Sequence, residues 1–235
     1  EMIKYASNSF LALKISYINE IANLCEAVNA DVHTVARAMG KDGRISPKFL
    51  HAGPGFGGSC FPKDIKALAS LAKQKKIPML TLEGAIKANE LQKLRMIDKL
   101  KFLLGGNFKG KHIAILGLTF KPETDDIRES PAISMTEAIL NGGGKVSAYD
   151  PEGGPKFSKL FPDITYEKSW EKAVSKSDGM VILTEWNEFR GLDSEKLKSL
   201  MNSPVVLDTR NILNMHAYQN AGFIFDNVGR LSQKS

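Results

Sequence analysis

Cysteine is scarce in this chain, with only Cys25 and Cys60 among 235 residues. Two thiols cannot staple a chain of this length, so a disulfide framework is excluded. The four histidines, His33, His51, His112 and His216, are scattered and none pairs with a cysteine at metal-ligand spacing, which leaves no zinc motif. No apolar run approaches the ~20 residues that span a bilayer. The N-terminus lacks the basic start, apolar block and small-residue cleavage site of a signal peptide. A soluble cytoplasmic protein without membrane contact is therefore expected. Aromatic-basic RNA motifs are also missing. The net charge of +6 and pI of about 9.2 come from lysine spread along most of the helices. That distribution reads as a solvated surface rather than a nucleic-acid face.

What is present divides into two halves. In the first, Phe10, Leu11, Ile15, Ile18, Ala22, Cys25 and Val28 recur at spacings of three and four, the mark of an amphipathic helix. It starts at Glu1 without a capping residue, as a segment of something longer would. Cys25 falls on the apolar stripe and reads as a small buried hydrophobe. Asp31 is an N-cap for a short second helix that Gly40 would end as a C-prime glycine. Residues 41–60 form a loop with five glycines, followed by a helix carrying Pro62 in its first turn. A long helix over about 82–104, stopped by Gly105-Gly106, suits either a dimer seam or packing within the chain.

After Gly110 the period changes. Residues 111–117 read as a buried parallel strand, Ser130-Pro131 as the N-cap and first residue of a helix to about Asn141, and 145–149 as a second strand. Further strands are expected over 179–184, 204–208 and 223–226, with helices around Trp170 and Lys196. The fold class expected is α/β: an all-helical domain over 1–106, then a Rossmann-like doubly wound parallel sheet over 107–235.

The strongest local signal is GFGGSCFPKD at 55–64. Glycines ahead of a helix let backbone amides approach a ligand closely. A cysteine at that helix start meets free amides and the positive end of the macrodipole, which favour a thiolate nucleophile. Asp64 follows one turn later on the same face, so covalent attack and water activation could be divided between the two. The competing reading is a glycine turn with a structural cysteine. Lys4 and Asn8 show the same spacing on the first helix and could bind an oxygen that turns negative; a surface pair is the alternative. The loop over 119–129 replaces the Gly-rich turn of a dinucleotide fold, and only Gly117 remains of the fingerprint, so this sheet is not expected to grip NAD pyrophosphate. Lys121, Arg128 and Arg210 are cations at the carboxyl edge of the sheet, where a diphosphate would fit as well as solvent does.

Four segments fall in the order of one known family: the stretch from Glu1 to Asn8, Gly43-Arg44-Ile45 with Phe49-Leu50, GFGGSCFPKD, and residues 117–128. Together they resemble the UDP-glucose/GDP-mannose dehydrogenase family over essentially the whole chain. GFGGSCFPKD is the specific element; the rest are weak singly. The resemblance implies an N-terminal NAD-binding Rossmann domain that is absent from this sequence, a helical central domain that forms a homodimer, and a C-terminal domain for the nucleotide sugar. It implies oxidation of UDP-glucose to UDP-glucuronate by two hydride transfers to NAD.

Residue roles are implied in the same way. Cys60 resembles the nucleophile that forms a thiohemiacetal and then a thioester. Lys4 and Asn8 match the oxyanion-stabilising pair, and Asp64 the carboxylate that activates hydrolytic water. Arg44 matches an arginine lent across the dimer. Phe49, Leu50 and Gly57 match the loop that shapes the sugar pocket, Phe120, Lys121 and Arg210 match substrate contacts, and Lys63 and Arg128 match cofactor contacts. The chain alone is expected to be inactive. GDP-mannose, or another nucleotide sugar, is the alternative substrate. A non-catalytic nucleotide-sugar-binding dimer scaffold is the alternative outside enzymology.

Overall fold

The structure, a computed structural model, describes residues 1–230; the last five residues of the expected second domain, 231–235, lie outside them. Helix α1 spans Met2–Val28 and ends on Asn29, whose left-handed φ of 56° turns the chain so that the Ala30 N–H donates to the Cys25 carbonyl at 2.8 Å. Cys25, Ile18 and Ala22 are buried as the spacing requires, but Phe10 and Val28 are exposed. The buried stripe runs instead through Ser9, Ala12, Ser16 and Asn19, small and polar residues that a search for apolar periodicity passes over. Helix α2 (Val32–Gly40) is capped by Asp31, whose side chain accepts the Thr34 N–H. Gly40 is a correction: it closes the helix rather than following it. A Cβ there would meet Pro47 Cα at 2.8 Å, so glycine serves close packing and not a left-handed turn.

Helix α3 (Cys60–Gln74) opens on the cysteine itself, and α4 (Leu80–Leu103) is the long helix. Beyond it come β1 (His112–Leu116), α5 (Pro131–Asn141), β2 (Lys145–Tyr149), α6 (Gly154–Phe157), β3 (Thr165–Tyr166), α7 (Trp170–Val174), β4 (Gly179–Ile182), α8 (Ser194–Leu200), β5 (Val205–Asp208), α9 (Met215–Asn220) and β6 (Ile224–Asn227), with a 3₁₀ turn at Asn187–Gly191. Ser130 caps α5 by accepting the Ala132 N–H, with Pro131 in the first turn. The two-residue β3 and the short α6 and α9 escape a periodicity reading because they are too brief to show a period.

The six strands are parallel in the order β3-β2-β1-β4-β5-β6. The chain runs outward from β1 and then returns to place β4 beside it, so the topological switch lies between β1 and β4. One sheet face carries Ala114, Leu116, Met180, Ile182 and Val206 against residues of α7, α8 and α9. The other carries Ile113, Ile115, Val181 and Leu207, packed with α5 and with Ile18 and Ala22 of α1 and Met96, Ile97 and Leu100 of α4. The helical half thus shares one core with the sheet. A smaller cluster, Ala12, Phe56, Ile65, Leu68 and Leu82, ties α1, α3 and α4 together. No helix among the described residues is long and apolar enough to cross a membrane.

Candidate active site

The loop before α3 has no strand or helix to satisfy its backbone, and buried side chains do so instead. Asn19 accepts the Gly53 N–H, Gln92 donates to the Gly53 carbonyl, and Asn89 both accepts from and donates to Phe56. The loop then presses onto the sheet half. The Gly58 N–H donates to the Arg128 carbonyl at 2.7 Å. A Cβ on Gly57 would meet the Glu129 carbonyl, its carbon at 2.7 Å, and one on Gly58 would meet the Phe120 ring at 2.7 Å. Only hydrogen fits at either place, which explains the paired glycines. Gly53, Gly55 and Gly58 also stand at G-x-G-x-x-G spacing, but no strand precedes them, so the spacing makes no dinucleotide turn.

Cys60 is exposed at the first position of α3, with the Ser59 hydroxyl 3.8 Å from its sulfur. One turn on, Asp64 is 2% exposed and gathers the α1 pair: Asn8 donates Nδ2 at 2.6 Å, and Lys4 Nζ lies 3.2 and 3.4 Å from the two oxygens. Burial pushes the Asp64 carboxyl up, but the Asn8 and Lys4 hydrogen bonds and the Lys4 and Lys63 charges outweigh it and hold the group below its ordinary value. The Asp64 hydrogen bond and charge raise Lys4 in turn. Cys60 lies in the neighbourhood of both Lys4 and Arg128. The four residues singled out for chemistry are therefore one cluster.

Two cavities flank the loop. One of about 440 Å³ lies at the switch point and brings together Phe49, Gly57, Phe120, Lys121 and Arg210. Arg210 is aimed by the Leu183 carbonyl at 2.7 Å, the Phe120 carbonyl at 3.3 Å and Glu185 at 3.1 Å. Phe49 holds a φ of +65°, a costly conformation for a bulky residue, and sets its ring 6.0 Å from that of Phe61. Leu50 does not line this cavity; its side chain is buried in the main core. Ile15, Asn19, His51 and Glu185 do line it. Sequence reasoning missed them because they come from three separate segments without a motif. The second cavity, about 640 Å³, holds Lys63 and Arg128 with Lys66 and Lys93. Arg44 touches neither: it is exposed and forks onto Asp42 at 2.7–3.2 Å. No group of three or more His, Cys, Asp or Glu among the described residues could hold a metal.

The sheet's own turn does not suit a dinucleotide. The Leu118 and Thr119 amides that would face a pyrophosphate donate to Asp150 at 2.6 and 3.1 Å. The opposite oxygen of Asp150 takes Glu152 and Gly153, and Trp186 donates its indole N–H to the first. In the second cavity Glu90, Glu129 and Glu137 line the wall with the cations. Lys66 and Lys93 pair with Glu129 and Glu90 and Arg128 with Asp126, which leaves Lys63 beside Gly58 as the cation best placed to meet a phosphate-bearing cofactor.

A doubly wound parallel sheet with a crevice at its switch point defines an α/β protein of the nucleotide-binding type; Cys60, Asp64, Lys4 and Asn8 do not line that crevice themselves, and Cys60 is joined to it through its chain neighbour Phe61. Residues 1–91 match the UDP-glucose/GDP-mannose dehydrogenase family central domain, and residues 114–215 match the UDP binding domain of the same family. The chain belongs to that family. It is 48% identical over 230 residues to a UDP-glucose 6-dehydrogenase of Rhizobium meliloti (strain 1021), covering 98% of this chain and 53% of that protein. It is 45% identical over 231 residues to UDP-glucose 6-dehydrogenase TuaD of Bacillus subtilis (strain 168), covering 98% and 50%. A UDP-glucose dehydrogenase structure from the archaeon Pyrobaculum islandicum superposes with a TM-score of 0.88 at 33% identity, covering 98% of this chain and 51% of that one. The chain spans about half the length of the curated relatives it matches.

Proposed function

We propose that this chain forms the central and nucleotide-sugar-binding part of an NAD-dependent UDP-glucose 6-dehydrogenase of the cytoplasm. The observation that carries the reading is the Cys60–Asp64–Lys4–Asn8 cluster, linked through Phe61 to a crevice lined by Lys121 and Arg210. Those two cations would hold the diphosphate, and the aromatic wall of Phe49 and Phe120 would hold the sugar end toward Cys60. NAD, when bound, supplies the hydride acceptor, and Lys63 and Arg128 are the residues here that would touch it.

The primary alcohol gives its hydroxyl proton to solvent water and a hydride to the acceptor to become an aldehyde. The Cys60 sulfur adds to the aldehyde carbon, and the oxygen that gains the electron pair is met by Lys4 and Asn8. Because Asp64 favours the charged form of Lys4, the lysine is a cation when that oxyanion forms. Loss of a second hydride, which requires that the spent acceptor be exchanged for a second NAD, leaves a thioester. Asp64, held ionised by its donors, takes a proton from water as the water attacks, and the carboxylate product leaves with the thiol restored. Self-association through the helical half is part of the reading. Ile3, Phe10, Tyr17 and Leu24 repeat every seven residues along α1 and are all exposed, a seam for a second copy, which would also give Arg44 a partner's pocket to enter.

The test is the thermal midpoint with UDP-glucose, GDP-mannose or NAD added separately. UDP-glucose alone is expected to raise it, the added stability being about 2.7 kcal/mol at a hundredfold excess over its dissociation constant. A response to GDP-mannose alone would transfer the reading to that substrate, and no response to either sugar would remove it. The same preparation, given NAD and UDP-glucose, should produce no NADH; appreciable turnover would show that this chain suffices.

A further inference from the structure

Three buried carboxamides meet the backbone of the pocket loop, and the chemistry above gives none of them a task. Asn19 of α1 accepts the Gly53 N–H at 2.8 Å, and Gln92 of α4 donates to the Gly53 carbonyl at 2.8 Å. Three residues on, Asn89 of α4 accepts the Phe56 N–H at 2.8 Å and donates to the Phe56 carbonyl at 3.1 Å. Asn23 donates to the Gln92 oxygen at 2.9 Å, which fixes which way that amide faces. Asn19, Asn89 and Gln92 are only 2–4% exposed.

Among side chains, the carboxamide matches a peptide group on both sides, as donor and acceptor at once. A Gly-Pro-Gly segment left without such partners would sample many conformations and bury unsatisfied backbone groups. Gly55 has a φ of +104°, and a Cβ there would crowd the Asn89 oxygen at 3.0 Å. Two residues past Phe56 the chain is pinned again, by the Gly58 N–H on the Arg128 carbonyl. Cys60 follows immediately. The helices that supply the carboxamides are α4 and α1, and α1 also carries Lys4 and Asn8.

We infer that Asn19, Asn89 and Gln92 are positioning residues, a carboxamide clamp that holds residues 53–56 and so keeps Cys60 in register with Lys4 and Asn8. What fills the pocket rests on the function proposed above; the clamp's hold on the thiol does not. The experiment compares Asn89→Leu, which loses both bonds, with Asn89→Asp, which keeps the shape and the acceptor but loses the donor. Ile139→Ala, in the core beside the sheet, is the destabilised control. At 25 °C the rate of Cys60 alkylation by iodoacetamide is measured, then the UDP-glucose concentration that protects against it. Cys25 is buried, so labelling of the folded chain reports Cys60.

Freeing residues 53–56 should let the start of α3 wander, changing the alkylation rate about fivefold in Asn89→Leu and raising the protecting concentration about tenfold, with Asn89→Asp between it and the parent. The control should lose thermal midpoint and change neither quantity. Parent-like alkylation in both Asn89 variants overturns the clamp, as does a control that changes equally. Should Asn89→Leu fail to fold, Asn89→Asp and Gln92→Glu, both isosteric, decide by the same alkylation rates. If UDP-glucose protects no variant and not the parent, the proposed function falls while the alkylation rates still judge the clamp.

Discussion

Asp64 is the residue on which the cluster turns, because it collects Lys4 and Asn8 from another helix while almost wholly buried. Its folded pKa lies below the ordinary value, so the stability it contributes is present above the usual aspartate pKa of about 3.9 and is lost as pH falls through the lower folded value. Asp64→Asn should accordingly lose less thermal midpoint than the parent between pH 5 and the most acidic pH that leaves both folded, values chosen to bracket about 3.9. Parallel acid profiles for the two proteins would remove the ion pair from the account. The pairs Cys60/Asp64 and Lys4/Asn8 were legible in the sequence because each is a local i, i+4 relation. That the two pairs meet was not legible from spacing, since it depends on how α1 packs on α3; only the family resemblance implied it. Asn19, Asn89 and Gln92 were invisible for the same reason: an amide on a helix looks solvated until the loop it serves is placed over it.

At the scale of elements, glycines decide how closely segments approach. Gly57 lies against the Glu129 backbone, which cannot swing aside as a side chain would. Gly57→Ala should therefore cost roughly 1–3 kcal/mol by overpacking, read as a lower thermal midpoint, and a midpoint equal to the parent's would show that the loop yields freely. Ser130→Ala, which removes the cap of α5, should cost about 1 kcal/mol in the same measurement. Helix starts marked by Asp31 and Ser130-Pro131 were read correctly because capping chemistry is local. Gly40 was misread because a glycine needed for contact with Pro47 and one needed for a left-handed turn look alike in sequence. The sheet was legible in its class from strands alternating with helices, whereas β3, α6 and α9 carry too few residues for periodicity to register.

Across the whole molecule, the helical and sheet halves are joined by shared burial and by charge. Lys99 of α4 reaches Glu26 of α1 at 2.7 Å and Asp226 of β6 at 3.2 Å, and donates to the Asn227 carbonyl. Both tryptophans, Trp170 and Trp186, lie in the sheet half, while the longest helices lie in the other. Tryptophan fluorescence and helical circular dichroism should thus report one coincident unfolding transition; two separated midpoints would show that the common core does not couple them. Lys99→Ala should lower both together, since it strands Asp226 and weakens the hold on Glu26.

The carboxylate of Asp150 has a further consequence at this scale. It is an anion tied by its own backbone to the amides that a dinucleotide fold offers to phosphate, so its local concentration stays high whatever the solution contains. A free polyphosphate would have to outcompete a tethered rival that dissociation cannot dilute. The sheet thus has the shape of a dinucleotide receptor while its own turn carries a built-in competitor for the phosphate.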